Sequence, residues 1–550
     1  MSENFSDLSK NIANDFIQSI VVIDDEAFKN SNTASTSTLA NDISRAFAKK
    51  GKVCAIYAPE TKSDLDSYQS IFQKVDVVVL DWLLGDIKNE ESLNLEQDVE
   101  EELEAQYTLS LLKNFIEAGD GTLRLIIIYT AESTLLDIAQ KIHNNFKEKL
   151  EIEKEDCSLS SVDKNLKIVV RSKLYGKQSQ DALSVEYERL PDLVLEQFTS
   201  MTEGLLSDFA LKALTVIREN TSRILTFFPK NLDPAYLGHR LLLPNTSDGK
   251  HLLIKLFGEL ISELLEDSQI DTSSWVEHWI SSRNFDRVEF DLENTKFAID
   301  QWPKFIRDLM SQNKKSEDEL IGFLSNKIKT IGKKCTESDV DHGLKGGQAK
   351  RRDLKKIVKN AHFFFNGDKK SVLAFAKLTH YKSISVSNLK NSPRLTLGSV
   401  VKLCGKSEQS SVRGDDTDSA KEEFYVCIQQ KCDSVRLLSE ESRRFLFLPL
   451  SRGEGKLSIV VGDEVMNVDL KSYRLRTIKF HSNKKTGTVT AEMQDGKWIF
   501  ESIYNEKLQW MFDLKETHAL RILNQYCFAL SRVGLDESEW LRRISDNQMS

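Results

Sequence analysis

Four short apolar runs constrain this chain more than anything else in it: Ser19-Ile20-Val21-Val22-Ile23, Val75-Asp76-Val77-Val78-Val79-Leu80, Leu125-Ile126-Ile127-Ile128-Tyr129 and Leu166-Lys167-Ile168-Val169-Val170-Arg171. Most of their residues are β-branched, and runs of this length and composition read as buried parallel strands. Each run leads into a polar residue or pair at or near its C-terminal end, namely Asp24-Asp25, Asp81, Thr130 and Lys173. In an open α/β sheet such strand ends line one crevice, so residues far apart in sequence meet there. Three carboxylates, a hydroxyl and an ammonium in one crevice read as a phosphoryl-transfer site.

Each group has a task if a phosphoryl group passes to a carboxylate. Asp24 and Asp25 supply hard oxygen ligands to a Mg²⁺ ion that also touches Asp81, because Mg²⁺ prefers a few carboxylates with water and phosphate oxygens. Asp81 is the nucleophile. Thr130 and Lys173 hold the remaining phosphoryl oxygens by a hydrogen bond and a point charge. Helix capping is the competing reading: strand-end aspartates satisfy orphan N–H groups, and Thr130 does so for a helix starting near Ser133. Capping does not explain three carboxylates crowded at one end of a sheet, where a cation is the natural compensation.

The set resembles the receiver domain of two-component response regulators. The resemblance rests on the acid pair in Val22-Ile23-Asp24-Asp25-Glu26, the acceptor in Val79-Leu80-Asp81-Trp82, the threonine in Tyr129-Thr130-Ala131 and the lysine in Arg171-Ser172-Lys173. A further strand at Lys52-Val53-Cys54-Ala55-Ile56-Tyr57 fits the same order. The resemblance covers roughly the first 200 residues and implies a flavodoxin-like doubly wound parallel sheet. It also implies phosphorylation of Asp81, Mg²⁺ as the cofactor and a histidine kinase or related ATPase as donor. Three departures stand out: Leu174 follows the lysine where the family usually has proline, Val170 replaces a switching aromatic, and Gly85 occupies the position of the usual proline after the acceptor. Tyr129 is either a substitute for the missing aromatic or a buried strand tyrosine.

At 550 residues the chain is too long for one core, and the size prior gives about three or four domains. With 40% hydrophobic and 29% charged residues and only 8 prolines, it reads as folded over most of its length. The start Met1-Ser2-Glu3-Asn4-Phe5-Ser6-Asp7 lacks a secretory pattern and no apolar run is long enough to span a bilayer, so a cytoplasmic protein without membrane contact is expected. Seven cysteines fit reduced thiols. Cys404, Cys427 and Cys432 lack zinc-knuckle spacing and read as buried thiols.

The expected organisation is a receiver-like domain over 1–200, a helical domain over 201–384, an antiparallel β domain over 385–515 and a C-terminal helix over 516–550. An acidic insertion from Asp86 to Glu104 follows the acceptor strand and reads as a solvated loop entering the charged first turns of a helix. Helical periodicity runs through Leu190 to Phe228, His251 to Glu266, Trp275 to Ile280, Phe297 to Met310 and Glu317 to Ile331. From about Ser385, alternating runs at 398–403, 424–428, 445–450, 457–461, 473–478 and 498–500, with Asp495-Gly496 as a turn, point to a small antiparallel barrel or sandwich. The polar stretch Ser407 to Glu423 reads as a loop, and Glu516 to Ile544 as an amphipathic helix.

Between Lys345 and Lys382, eleven lysines and arginines face only Asp353 and Asp368, in a chain of net charge −9. Lys350, Arg351, Arg352, Lys355 and Lys356 are candidate nucleic-acid contacts of weak, sequence-independent kind, since basic patches attract phosphate backbones. The competing reading is a helical pair with a buried apolar face and solvated lysines. The sequence therefore supports a response regulator whose receiver controls a helical and β effector. Large divergent receivers of this kind resemble components of bacterial conflict and phage-defence systems. One alternative is an unphosphorylated pseudo-receiver scaffold that binds nucleic acid or a partner protein through its C-terminal half. Another is an enzyme with its site around Asp433 and Arg436. The sequence does not fix the oligomeric state.

Overall fold

The computed structural model describes residues 4–28, 39–72, 74–85, 97–118, 122–132, 134–173, 183–243, 249–283, 285–293, 295–311, 316–331, 349–382, 392–404, 422–435, 437, 442–484 and 486–530. By internal contacts the chain divides into two units, one of residues 1–287 and 300–313 and one of residues 288–299 and 314–550. Among the described residues, no helix is long and apolar enough to cross a membrane.

The first unit begins with α1 (Phe5–Phe16) and then alternates β1 (Ser19–Ile23), α2 (Leu39–Lys49), β2 (Val53–Tyr57), α3 (Lys62–Phe72), β3 (Val77–Leu80), α4 (Gln97–Ala118), β4 (Arg124–Thr130) and α5 (Leu135–Asn145). A hairpin of β5 (Leu150–Glu153) and β6 (Ser158–Ser161) precedes β7 (Leu166–Lys173) and the short β8 (Ser184–Val185). The sheet order is β2-β1-β3-β4-β7-β6-β5, with β8 also on β7. Pairing is parallel from β2 through β7 and antiparallel only in the added hairpin. This is the flavodoxin-like sheet expected from the sequence, widened by a hairpin that the sequence reading did not anticipate.

The alternation within each strand shows why both faces must be covered. Val21, Ile23, Val78, Leu80, Ile126 and Ile128 pack with α3, α4 and α5 on one face. Their neighbours Ile20, Val22, Val77, Val79, Leu125 and Ile127 pack with α1, α2 and α6 (Leu190–Thr202) on the other. Full burial of such a side chain contributes roughly 1.5–3 kcal/mol, so the central strands carry much of the fold. Tyr129 belongs to the second face, where it is 3% exposed and its hydroxyl donates to the Val185 carbonyl at 2.7 Å. It is a buried strand tyrosine.

The stretch Leu190 to Phe228 is three helices, α6, α7 (Leu205–Glu219) and α8 (Thr221–Thr226), broken at Gly204 and Asn220. α9 (Asp233–Leu242), α10 (Gly249–Asp267) and α11 (Thr272–Ser282) follow. Arg218 of α7 ties this region to the receiver sheet. Its guanidinium lies 4.4 Å from the Phe16 ring centroid, donates to the Phe16 carbonyl, and pairs at 2.8 Å with Asp76, which also accepts from the backbone of Gln18 and Ser19.

The helical reading of Phe297 to Met310 and Glu317 to Ile331 needs correction. Strands at Arg287–Leu292, Thr295–Asp300 and Ile328–Ile331 form a three-stranded sheet, and helices cover only Trp302–Ser311 and Glu317–Ser325. The reason lies in the period: Val288 and Phe290 are buried while Arg287, Glu289 and Asp291 are exposed, an alternation of two within a helix-rich context.

In the second unit a nine-stranded sheet runs from Ser399 to Asp513, with helix Glu516–Leu530 following it. Val400, Val426 and Leu448 face one core with Ala519 and Ile522 of that helix, while Val401, Cys427 and Phe447 face another with Phe480 and Phe500. Burial on both faces is what a small sandwich or barrel requires. Asp495 and Gly496 have positive φ between Glu492–Gln494 and Lys497–Glu501, as a tight hairpin turn demands. Cys427 is buried as read, but Cys432 is exposed on a short 3₁₀ turn and Cys404 is half-buried. The Ser407 to Glu423 loop falls almost wholly outside the described residues, as do Arg436 and the part of the C-terminal helix beyond Leu530.

Candidate phosphoryl-acceptor site

The backbone ladder carries one residue beyond β1 and β3 and thereby sets the spacing of the acids. Asp24 N–H donates to the Tyr57 carbonyl at 3.1 Å, and Asp81 N–H donates to the Ile23 carbonyl at 2.8 Å. Asp24 and Asp81 therefore sit side by side at the ends of adjacent parallel strands. Asp24, Asp25 and Asp81 each offer a carboxylate oxygen, and these three atoms lie within 4.8 Å of one another. Among the described residues this is the one acidic cluster compact enough for a metal ion.

Lys173, from the end of β7, closes the site. Its ammonium donates to Asp24 Oδ2 at 2.7 Å and to Asp81 Oδ2. The side chains of Lys173, Asp24 and Asp81 are 4%, 3% and 9% exposed, so these charges interact with little screening by water. Burial is the main influence on Asp81 and pushes its carboxyl up to about 7, with Asp24 adding to the rise and Lys173 opposing it. For Lys173 burial acts downward, but the two carboxylates together hold the ammonium above its ordinary value.

Three further carboxylate oxygens are held by backbone. Asp24 Oδ1 accepts from Glu26 N–H at 2.9 Å, and Asp81 Oδ1 accepts from Trp82 N–H at 2.7 Å. Asp25 Oδ2 accepts from Gly85 N–H at 3.1 Å. Gly85 stands where the receiver pattern usually has proline, and a proline has no N–H to give. The departure thus adds a bond between the acceptor loop and the acid pair. Trp82 and Leu84 are 3% and 0% exposed and anchor the same loop in the core.

Thr130 is 1% exposed at the end of β4, one strand over from β3, and its hydroxyl accepts from Glu132 N–H at 3.2 Å. The structure therefore brings Asp24, Asp25, Asp81 and Lys173 into one cluster and places Thr130 at the same end of the sheet. Sequence reasoning missed Thr108 of α4, fully buried, whose hydroxyl donates at 3.1 Å to the Asp81 carbonyl. No strand-end pattern marks a helical threonine, so only the packing of α4 reveals it. Helix α4 begins within the acidic stretch read as a loop running into a helix, and 86–96 lie outside the described residues.

Three carboxylates and one ammonium leave net negative charge in a buried crevice, and hard oxygen donors at this spacing suit Mg²⁺. The donor set fits that ion.

The candidate nucleic-acid residues belong to the second unit, Lys350 as the extended N-cap residue of the helix Arg351–Lys359 and the other four within that helix. Arg351 pairs with Asp318 at 2.7 Å and Lys356 with Glu293, while Arg352 and Lys355 are exposed. Leu354 and Ile357 of the same helix are buried. On the 3₁₀ turn Lys431–Asp433, Asp433 accepts from Gln429 Nε2 at 3.4 Å.

The chain was compared with known proteins. The family described as a response receiver domain matches residues 16–178, which span β1 through β7 and all five polar residues at the strand ends. No curated protein and no solved structure matches the chain. A receiver supports a response-regulator-like role in two-component signal transduction; receivers typically bind Mg²⁺ through an acidic pocket and generally interact with histidine kinases. On the sheet order, the strand-end cluster and the family match together, residues 16–178 of this chain are a response receiver domain.

Proposed function

We propose that this protein is a phosphorylation-responsive signalling protein in which Asp81 accepts a phosphoryl group and the receiver passes that change to the attached helical and β regions. The observation that carries the reading is the buried cluster of Asp24, Asp25, Asp81 and Lys173 at the strand ends. An Asp81 carboxylate oxygen attacks the phosphorus of the donor, an acyl phosphate bond forms, and the donor's bond to phosphorus breaks with its electron pair leaving on the donor atom. Lys173 then moves part of its bonding from the Asp81 carboxylate to a phosphoryl oxygen, and the Thr130 hydroxyl turns from its own turn toward another. Asp24, Asp25 and Asp81 would hold Mg²⁺, which when bound neutralises charge on the transferring group.

The added charge and acceptor oxygens draw β4 and β7 ends toward Asp81 and bias a two-state surface. A histidine kinase or related ATPase in the cytoplasm is the donor this reading calls for, and bacterial phage defence is one setting that suits it. Incubation of the full chain with acetyl phosphate and Mg²⁺ tests it. Intact mass should rise by one phosphoryl group, and Asp81→Asn should remove the gain. Equal modification of wild type and Asp81→Asn would overturn the assignment.

A further inference from the structure

Between α4 and the end of α5 lies a cavity of about 920 Å³, none of whose lining residues belongs to the acceptor cluster. Three pieces of the receiver build it. α4 supplies Ala105, Leu109 and Lys113, spaced by four so that they share one face, with Gln106 and Ser110 beside them. α5 supplies Lys141, Asn144 and Asn145 near its C-terminal end, where Asn145 Nδ2 donates to the Lys141 carbonyl at 2.9 Å. The turn at 146–149 is closed by bonds from Lys149 N–H and Leu150 N–H to the Phe146 carbonyl at 2.9 and 3.0 Å, and it brings Phe146, Lys147 and Lys149 to the same space.

The chemistry of the lining is lopsided. The ammonium groups of Lys113, Lys141, Lys147 and Lys149 meet a single carboxylate, that of Glu148. Among the described residues Lys141, Lys147 and Lys149 enter no ion pair, and the side chains of Gln106 and Ser110 have no hydrogen-bond partner. The macrodipole at the C-terminal end of α5 amounts to about half a charge, so one cation answers it and the others are left over. Beneath these polar groups the surface is apolar, with Ala105 buried and Leu109 and Phe146 half-buried against the core.

We propose that this cavity binds a nucleoside triphosphate, with its phosphates on the lysines and its base over Phe146 and Leu109. The volume lies within the roughly 300–1,000 Å³ of small-molecule sites and exceeds what a bare phosphate fills. Lysines act on phosphate as point charges, and no arginine lines the cavity to offer a carboxylate its planar fork. An aromatic ring beside the cations gives a flat base a surface to stack on, and the Gln106 and Asn144 amides lie in the same lining to meet its polar edge. The phosphorylation reading is not needed for this inference.

Isothermal titration calorimetry on the full chain tests it, at low salt and in EDTA so that no divalent ion bridges phosphates to the acid cluster. The probes are ATP, GTP, CTP, UTP, tripolyphosphate and adenosine. At least one triphosphate should bind once per chain, and about fivefold or more tighter than tripolyphosphate, because only the nucleotide brings a base to Phe146. Lys141→Glu with Lys147→Glu should weaken that binding about tenfold or more with circular dichroism unchanged, since both positions are exposed. Changing Lys350, Arg351, Arg352, Lys355 and Lys356 to Glu should leave it intact, because those residues belong to the other unit. Four triphosphates that all fail to bind at millimolar concentration would overturn the proposal, as would wild-type affinity in Lys141→Glu with Lys147→Glu. Tripolyphosphate as tight as every nucleotide, or adenosine as tight as ATP, would overturn the assignment of a nucleotide.

Discussion

Lys173→Met should destabilise the receiver sheet when divalent cations are absent and should do so much less when Mg²⁺ is present. The ammonium bridges Asp24 and Asp81, and all three side chains are less than a tenth exposed. Removing one member of a buried ion pair costs about 3–5 kcal/mol, because the partner charge stays behind without compensation. Burial has already raised Asp81 to about 7, so near neutral pH it takes up a proton in the variant and the loss falls toward about 3 kcal/mol. At about 1.4 kcal/mol per factor of ten, amide exchange in β3 and β7 should speed up roughly a hundredfold in EDTA. Mg²⁺ at about a hundred times its dissociation constant returns about 2.7 kcal/mol and nearly closes the gap. Hydrogen exchange read by mass spectrometry on peptides covering Val77–Leu80 and Leu166–Lys173 measures both effects. Wild-type protection in EDTA, or a loss that Mg²⁺ leaves unchanged, would refute the reasoning.

Two further outcomes follow from the second unit. Burial chiefly, with His380 at 4.0 Å between ring centroids and Arg521 nearby, lowers His518 to about 4 from an ordinary 6.5. The unfolded chain then binds a proton that the folded chain does not, so stability present above about pH 6.5 should be lost as pH falls toward about 4, by about 1–2 kcal/mol after solvent screening. Thermal unfolding of the full chain against pH, compared with His518→Gln, checks this through the loss of the slope. For the basic helix, ion pairs to Asp318 and Glu293 already engage Arg351 and Lys356. DNA or RNA binding, read by fluorescence anisotropy, should be weak, with a log–log salt slope no steeper than about −3, and should vanish when Lys350, Arg351, Arg352, Lys355 and Lys356 are changed to Glu.

The parts of the fold that the sequence made legible are those where one physical signal dominates. Four short β-branched runs, each closed by a polar residue, read as buried parallel strands through their length and composition, and the cluster of Asp24, Asp25, Asp81 and Lys173 follows from the order of those strands. The strands at 287–300 were hidden because their two-residue alternation is short and sits between strong helices. The β5–β6 hairpin was hidden because Ser158–Ser161 is polar and Leu150–Glu153 half charged, a composition typical of an edge. Thr108 and Gly85 N–H act through a helix face and a backbone group, neither of which a residue pattern displays. Gly85 takes the place of the usual proline after Asp81, yet the loop is held by Trp82, Leu84 and the bond to Asp25.

The central claim is that Asp81 itself carries the phosphoryl group. An acyl phosphate is reduced by borohydride to the alcohol, so an aspartyl phosphate becomes homoserine at the modified position. After treatment with acetyl phosphate and Mg²⁺, borohydride reduction and peptide mass mapping should find homoserine at position 81 in the wild type and at no other aspartate, including Asp24 and Asp25. Homoserine at a different aspartate, or none at position 81 under conditions where the intact mass has risen by one phosphoryl group, would contradict the account.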